Sequence, residues 1–155
     1  MTPPALQPGI GLRPGESDHA AAAWAPRLWA ALYDSIAAHS RAGLDVVADV
    51  GHHDPPILRD CAARLAGLPA LLVGVRCPTD VIMARRIASG MVPEGRLRDG
   101  IPEPVWRWQE LVHVPGVYDL ELDTSVLSPA ECARAIGERL AAIETATAFR
   151  RLAGS

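Results

Sequence analysis

Apolar residues recur along the chain with two different spacings, one typical of helices and one typical of buried strands. In the alanine-rich run at residues 18–41, Trp24, Leu28, Leu32 and Ile36 follow one another at intervals of four. This spacing places all four on one face of a helix. The pattern therefore predicts a helix over residues 18–41 whose apolar face is formed by these four side chains.

Three short apolar runs have no helical spacing. They are DVVADV at residues 45–50, ALLVGV at Ala70–Val75 and VYDLEL at Val117–Leu122. The first is rich in β-branched residues and lacks alternation, which predicts a strand over residues 46–50 that is buried on both faces. The other two runs predict two more strands.

Helical patterns separate and follow the predicted strands, at residues 57–67, 78–90, 105–113 and 128–143. The last of them opens with Ser128, Pro129 and Glu131, the signature of a capping box with proline in the first turn. Strands joined by helices indicate parallel crossover connections, and hence an α/β fold with a parallel sheet. Ligands of such folds bind outside the carboxyl ends of the strands.

A chain of 155 residues with one such alternation predicts a single domain. Residues 1–17, rich in proline and glycine, form a loop or arm in this interpretation, and residues 18–145 form the α/β core. Residues 90–104 are polar and glycine-rich, and predict a mobile, lid-like loop. Residues 146–155 are left as a C-terminal tail.

Composition narrows the range of functions. The formal net charge is -3 and no basic stripe is present, which argues against nucleic acid as a partner. No apolar window reaches the roughly 18 residues of a membrane span, and no signal peptide is apparent, so a cytoplasmic protein is expected. All fifteen basic residues are arginine, which excludes a catalytic lysine and a G-x-x-x-x-G-K phosphate loop within this sequence. The three widely spaced cysteines predict free thiols.

Polar residues follow each predicted strand, and the first group is the densest. Asp49 ends an apolar run, as the carboxylate of a Walker B element does when it orients Mg²⁺ or its waters against nucleotide phosphates. Asp54, before two prolines, is expected to cap the next helix. His52 and His53 could serve as metal ligands with Asp54, but consecutive side chains diverge, which favours a polar loop facing a substrate.

Arginines cluster in and after the third predicted helix. Arg85 and Arg86 lie within it, and Arg96 and Arg98 lie in the lid-like loop. Such residues suit a lid that closes over phosphates, although a solvated helix face has the same composition.

Three motifs resemble the chloramphenicol phosphotransferase family of P-loop kinases: VGVRCP after the second strand, VHVPGVYDLELDTS around the third, and SPAECARAI at the last helix. The resemblance implies ATP-dependent phosphoryl transfer, with Mg²⁺, to a hydroxyl of a small molecule. It places Asp49 at the Walker B position, as a catalytic residue that holds Mg²⁺ through the waters bound to it. It makes Arg85 catalytic, at the helix leading to the lid.

The resemblance further implies that Asp123, Thr124 and Ser125 bind the nucleotide beside adenine, with Arg96 or Arg98 supplying the lid cations. His52 and His53 become residues that line the substrate site. His113 and Tyr118 match the motif without an assigned role. One departure lies at residues 89–92, where the antibiotic kinase has an R-G-D-R run and this chain reads SGMV.

A larger departure is that the initial strand, phosphate loop, helix and base-bearing strand of the family have no counterpart in this sequence. The resemblance therefore implies a three-layer parallel sheet that lacks its first strands, in a chain that begins at an internal methionine of a longer kinase. Segments 46–50 and 70–75 are then expected to stand apart or to pair in another register. The isolated chain is expected to be inactive as a kinase.

Two alternatives remain open from the sequence. The first alternative to the phosphotransferase is a non-catalytic α/β binding protein that descends from such a kinase. A metal-dependent hydrolase that uses His52, His53 and Asp54 is a third hypothesis, which predicts bound zinc.

Overall fold

The computed structural model describes residues 23–91 and 97–154. Six helices, four short strands and a 3-10 turn occur in these ranges. In chain order they are α1 Ala25–Arg41, α2 Pro55–Leu65, β1 Val73–Arg76, α3 Thr79–Ala88, β2 Leu97–Arg98, β3 Ile101–Pro102, α4 Glu103–Leu111, β4 Leu120–Asp123, α5 Pro129–Leu140, the 3-10 turn Ile143–Thr145 and α6 Ala148–Ala153.

Helix α1 forms where it was predicted, within the described residues, but a different face is buried. Tyr33 and Ala37 are 0% and 1% exposed, whereas Trp24 and Leu28 are 57% and 52% exposed. The buried residues lie one position further along the chain, a rotation of about 100° around the helix. The predicted face was wrong because it was chosen from Trp24 and large aliphatic residues, of which Ile36 alone packs partly against the core, whereas the core accepts a tyrosine and an alanine at the neighbouring positions.

The main core is helical and joins α1, α2 and α6. Leu58, Cys61 and Leu65 of α2 are buried and pack with Phe149 and Leu152 of α6. The segment that was assigned to a C-terminal tail thus contributes two core side chains. A six-residue helix is too short to show a convincing period in the sequence, which explains the error.

The sheet in the described residues has two parallel strands, β1 and β4. Val73 pairs with Leu120 and Arg76 with Asp123 at its two ends. Helices α3 and α4 lie in the connection between the strands, as expected of a parallel crossover. The observed mixture of helices with a small parallel sheet is consistent with the predicted α/β class.

The segment 46–50 is not a strand, so this prediction was wrong. It is irregular, and none of its backbone groups bonds to another described residue. Val46 is 40% exposed and Val47 is fully exposed. High β-propensity alone does not form a strand, because each strand needs a neighbour for its N–H and C=O groups. As expected, this segment and β1 are not paired with each other.

The lid-like segment 90–104 has regular structure at its end, and residues 92–96 lie outside the described residues. Strands β2 and β3 form an antiparallel hairpin with Asp99 and Gly100 at its turn, both at positive φ (53° and 78°). Aspartate and glycine tolerate this conformation better than most residues, and Asp-Gly is a typical hairpin turn. A well-defined hairpin therefore ends the segment and leads directly into α4.

Hydrogen bonds of polar side chains fix the start of α5 and join β1 to α6. The predicted capping box of α5 is confirmed: the Glu131 N–H donates to Ser128 Oγ (3.3 Å), and the Ser128 N–H donates to Glu131 Oε2 (2.8 Å). The bonds that join β1 to α6 were not predicted. The Asp119 carboxylate, 1% exposed, accepts hydrogen bonds from the backbone N–H groups of Leu72, Thr147 and Ala148 at 2.7–3.0 Å. It thereby joins the start of β1 to the first turn of α6.

Within residues 23–91 and 97–154, no helix combines the length and hydropathy needed to cross a bilayer. The three cysteines are free thiols, with Cys61 buried and Cys77 and Cys132 half-buried. Burial raises the pKa of the Cys61 thiol to about 12, with Asp60 adding to the effect.

Candidate functional site

The carboxyl ends of β1 and β4 bring one group of candidate residues together. The N–H and hydroxyl of Thr124 both donate to the backbone carbonyl of Arg76, at 2.9 and 3.1 Å. The loop after β4 is therefore held directly against the end of β1. This juxtaposition follows from the parallel register, which pairs Arg76 with Asp123.

Arg85 of α3 reaches the same loop. Its guanidinium donates to the Thr124 carbonyl at 2.5 Å and to Thr124 Oγ1 at 3.4 Å, and it contacts Cys77 Sγ at 3.6 Å. Two residues that the resemblance assigned to different roles, catalysis and nucleotide binding, thus bind each other. In this arrangement Arg85 anchors α3 to the loop after β4, and its donors are directed at protein atoms.

Asp123 and Ser125 form a closed turn in this loop. Asp123 Oδ1 accepts from the Ser125 hydroxyl (2.6 Å) and from the Ser125 N–H (2.8 Å). These bonds favour the charged carboxylate and lower the pKa of Asp123, the hydroxyl making the largest contribution and nearby Arg85 a smaller one. The turn holds an anion at the sheet edge at neutral pH.

The second group surrounds a cavity of about 620 Å³. One wall is the irregular segment 46–51, and another comprises residues 70–75, including most of β1. The loop 112–118 and side chains of the helical core complete it. Most lining side chains are apolar, and Asp49 is the one carboxylate among them.

Asp49 lies on the wall of this cavity, in the irregular segment 46–51. The prediction that Asp49 ends a strand was therefore wrong. Its side chain is exposed and has no hydrogen bond or ion pair to another described residue. A free carboxylate beside a cavity is suited to a cation or to a hydrogen-bond donor. Asp49 and the cluster of Arg85 with Thr124 belong to different parts of the described structure, since neither Arg85 nor Thr124 lines the cavity.

His52 is buried in an aromatic environment and also lines the cavity. Its ring lies 5.8 Å from that of Tyr33 and 6.5 Å from that of Trp29, measured between centroids. Burial lowers the pKa of His52, and His53 lowers it further, so the imidazole is neutral at pH 7. His52 Nε2 and the Tyr33 hydroxyl are buried polar atoms that have no hydrogen-bond partner in the described part of the chain.

His53 points to a different neighbour. Its ring makes an edge contact with the Trp108 ring of α4, with 5.2 Å between the centroids. Gly51, two residues earlier in the chain, packs so closely against the same indole that an added Cβ would come within 2.3 Å of it. The two histidines therefore diverge, as consecutive residues were expected to do. In residues 23–91 and 97–154, no group of three His, Cys, Asp or Glu side chains is arranged to hold a metal.

His113 and Tyr118 form a polar pair that sequence reasoning identified without a role. His113 Nδ1 and the Tyr118 hydroxyl are 2.7 Å apart, and Arg76 lies over the Tyr118 ring while forming an ion pair with Glu121. Burial, together with Arg76, lowers the pKa of His113. Both aromatic residues line the cavity, and the spacing of His113 and Tyr118 within the VHVPGVYD motif was the available signal.

Arg98 belongs to a third location, at the hairpin, and Arg96 lies outside the described residues. Arg98 donates to Glu110 at 2.7 Å, and its guanidinium lies 5.1 Å from the centre of the Trp106 ring. Together with neighbouring residues, Arg98 and Trp106 line a smaller cavity of about 430 Å³. The charge of Arg98 is therefore already compensated by Glu110.

The described residues fit the implied magnesium better than the implied triphosphate. The unpartnered carboxylate of Asp49 is of the type that Mg²⁺ prefers. A triphosphate needs several free cations or N–H groups, yet Arg76, Arg85 and Arg98 are each engaged with protein acceptors. The sequence has no lysine and no G-x-x-x-x-G-K loop. Within the described residues, these three arginines are therefore not free to hold the phosphates.

Comparison with known proteins adds one positive finding. The model of the family described as "Chloramphenicol phosphotransferase-like protein" matches residues 1–141. No curated protein and no solved structure matches the chain.

Proposed function

The chain belongs to the chloramphenicol phosphotransferase-like family, and on that premise we propose that it is part of an ATP-dependent phosphotransferase that acts on a hydroxyl of a small molecule. Kinase-like phosphotransfer is the activity of the family. The observation that carries the proposal is the family match over residues 1–141. The acceptor is not inherited with the family name, because pocket shape rather than a motif determines it.

Two residues are the proposed contributors to catalysis. Asp49 is the candidate carboxylate for magnesium, and its lack of a described protein partner supports this role. Arg85 is the candidate cation on the phosphate side, but it can act there only after its bonds to Thr124 are broken or rearranged. His52 and His53 remain proposed acceptor-side residues, with Trp108 as the aromatic surface next to His53.

We further propose that these 155 residues do not transfer phosphate by themselves. Positioning and charge stabilisation account for nearly all catalysis of phosphoryl transfer, and a phosphate loop with its lysine supplies both. Neither is encoded in this sequence. The acceptor side of the site and the phosphate side are, in this proposal, contributed by different polypeptide segments.

The test has two arms, which use radiolabelled ATP and a panel of hydroxylated small molecules. In the first arm, the 155-residue chain alone is expected to give no labelled product above the buffer control. In the second arm, the gene is expressed with the in-frame codons upstream of Met1, and a labelled phosphate ester is expected if they encode a phosphate loop. Labelled product from the chain alone would contradict the second proposal. A phosphate loop upstream with no acceptor phosphorylated would contradict the first.

In the active extended protein, Asp49→Asn is expected to reduce kcat by at least about 100-fold, since electrostatic stabilisation is the main catalytic effect in this chemistry. Asp45→Asn is a matched control in the same segment, and it should leave the rate unchanged because Asp45 does not line the cavity. Equal activity of the Asp49 variant and the control would remove Asp49 from the site.

A further inference from the structure

Trp29, Tyr33 and His52 form an aromatic cluster beside the large cavity. The ring centroids are 5.9 Å apart for Trp29 and Tyr33, 6.5 Å for Trp29 and His52, and 5.8 Å for Tyr33 and His52. Tyr33 and His52 are 0% and 8% exposed, and both line the cavity. Helix α1 and the residue that follows the irregular segment 46–51 therefore meet in this cluster.

Each of the three rings carries a polar atom without a hydrogen bond. Trp29 Nε1, the Tyr33 hydroxyl and His52 Nε2 are shielded from solvent, and none has a partner in residues 23–91 and 97–154. Buried tyrosine and tryptophan side chains usually find a partner for these atoms, because leaving them unpaired costs stability. Five side-chain atoms of the described residues are unpaired in this way, and three of them belong to this cluster. Such a concentration points to a bound group that would pair with them.

The chemistry of these three atoms indicates which group would pair with them. The Trp29 N–H only donates, the Tyr33 hydroxyl donates and accepts, and a neutral imidazole nitrogen does one or the other. Burial lowers the pKa of His52 and raises the pKa of Tyr33, so both rings are uncharged at pH 7. A hydroxyl or a carboxamide both donates and accepts, and therefore matches this set.

Charged ligands fit the cluster poorly. No arginine is among the described residues that line the cavity, so an anion would lose its hydration without gaining a compensating charge. A cation could contact the aromatic faces, but it would leave the Trp29 N–H and the Tyr33 hydroxyl without an acceptor. The rest of the lining is mainly apolar. The matching group is therefore expected on an uncharged, mainly apolar molecule.

From these observations we propose that Trp29, Tyr33 and His52 recognise an uncharged hydroxyl or carboxamide group of a mainly apolar small molecule. The inference rests on the proposed function in one respect, because it identifies this molecule as the acceptor of the phosphotransferase. The three atoms are shielded in this structure, so binding requires Tyr33 or His52 to turn toward the cavity that both line. Residues 46–50 have no backbone hydrogen bond to another described residue, so little backbone bonding opposes a movement of His52.

Five molecules with one benzene ring and different substituents serve as probes: benzyl alcohol, benzamide, toluene, benzoate and benzylamine. Binding to the full chain is followed by the NMR signals of the four tryptophan indole N–H groups. The Trp29 signal is assigned by its loss in Trp29→Phe. Benzyl alcohol or benzamide is expected to shift this signal as the N–H gains an acceptor, and to bind at least about tenfold more tightly than the other three.

Tyrosine variants separate recognition from packing. Tyr33→Phe removes the unpaired hydroxyl and keeps the ring, so it should leave the urea midpoint unchanged or raise it. The same variant should weaken binding of the preferred probe about fivefold. Tyr118→Phe is the matched control, because Tyr118 is the other tyrosine of the chain, lines the same cavity and has His113 as a hydrogen-bond partner. It should leave the affinity for the probe unchanged.

Four results would overturn the inference. They are no binding of benzyl alcohol or benzamide, equal affinity for toluene, tighter binding of benzylamine or benzoate, and an unchanged affinity in Tyr33→Phe. Failure of the proposed function has a different signature, because probe binding is measured without ATP. Binding with the expected pattern, together with no phosphorylated acceptor in the extended protein, would contradict phosphotransfer and support the recognition site.

Discussion

Asp119 is a buried polar residue that links three elements of the described structure. Its buried carboxylate accepts the N–H groups of Leu72, Thr147 and Ala148, and Arg139 approaches it at 3.9 Å. These contacts join β1, β4 and α6, which are distant in the sequence. Replacing Asp119 should therefore loosen the sheet and the helical core together.

The expected loss of unfolding free energy follows from the number of N–H donors that lose their acceptor. In Asp119→Ala, the part-buried N–H groups of Leu72 and Ala148 are left unpaired, at about 1–2 kcal/mol each, and the lost charge-assisted bond to Thr147 adds about 1 kcal/mol. The expected loss is about 3–5 kcal/mol, a large part of the total stability of about 5–15 kcal/mol typical of a domain. In Asp119→Asn, one oxygen remains for α6, but the amide NH₂ faces the Leu72 N–H, so about 2 kcal/mol is expected.

Urea unfolding monitored by circular dichroism measures these losses. With a slope of about 2 kcal/mol per molar urea, the midpoint should fall by about 1 M for Asp119→Asn and about 2 M for Asp119→Ala. Glu121→Gln is the control, because it removes a carboxylate two residues away that forms an exposed ion pair with Arg76. The side chains of Glu121 and Arg76 are 47% and 44% exposed, so the loss of stability should be less than about 1 kcal/mol. If Asp119→Asn lowers the midpoint no more than Glu121→Gln does, the reasoning about buried unpaired donors is refuted.

Three further predictions concern local packing and ionisation. Gly74→Ala should cost about 1–3 kcal/mol, because the new Cβ lies 2.7 Å from the Tyr118 ring. By contrast, the Cβ added by Gly137→Ala in α5 meets no atom within 4 Å, and this change should stabilise the protein by about 0.5–1 kcal/mol. A higher urea midpoint for Gly74→Ala than for Gly137→Ala would contradict the packing described at these two glycines. The buried Cys61, with its pKa of about 12, should react with iodoacetamide last of the three cysteines, and its early modification in mass spectra would contradict its burial. Hydrogen bonds from the N-cap serine of α5 lower the pKa of Glu131, so this stabilisation is present above the unfolded pKa of about 4.3 and is lost as pH falls through the folded pKa. Glu131→Gln should reduce the fall in urea midpoint between pH 6 and pH 3, and an unchanged fall would argue against a role for this carboxylate.

Local patterns in the sequence were sufficient for several elements. The capping box of α5 is determined by residues three apart, and helix α2 lies within the helical pattern that predicted it. Strands β1 and β4 lie within or beside the apolar runs that predicted them. These features depend on interactions within one segment, or on a single neighbour, and single-segment patterns describe them well.

Features that depend on distant partners could not be read in this way. The segment 46–50 has the composition of a strand, but no described strand pairs with it. The buried face of α1 depends on which side α2 and α6 approach, and the role of Asp119 depends on the position of α6. Arg85 was predicted to lie in the helix that leads to the lid-like loop, and its bonds to Thr124 could not be predicted because they depend on the register of β1 with β4.

The order of the core helices along the chain determines when the core can form during synthesis. Helices α1 and α2 meet early in the chain, but their shared apolar face is completed by α6, and residues 66–147 lie between α2 and α6. During synthesis at about 5–20 residues per second, a nascent chain must therefore wait roughly 4–16 seconds with the α1 and α2 surface uncovered. Contacts between such distant segments also slow folding in the completed chain. We expect this half-built core to be the species that chaperones bind in the cell.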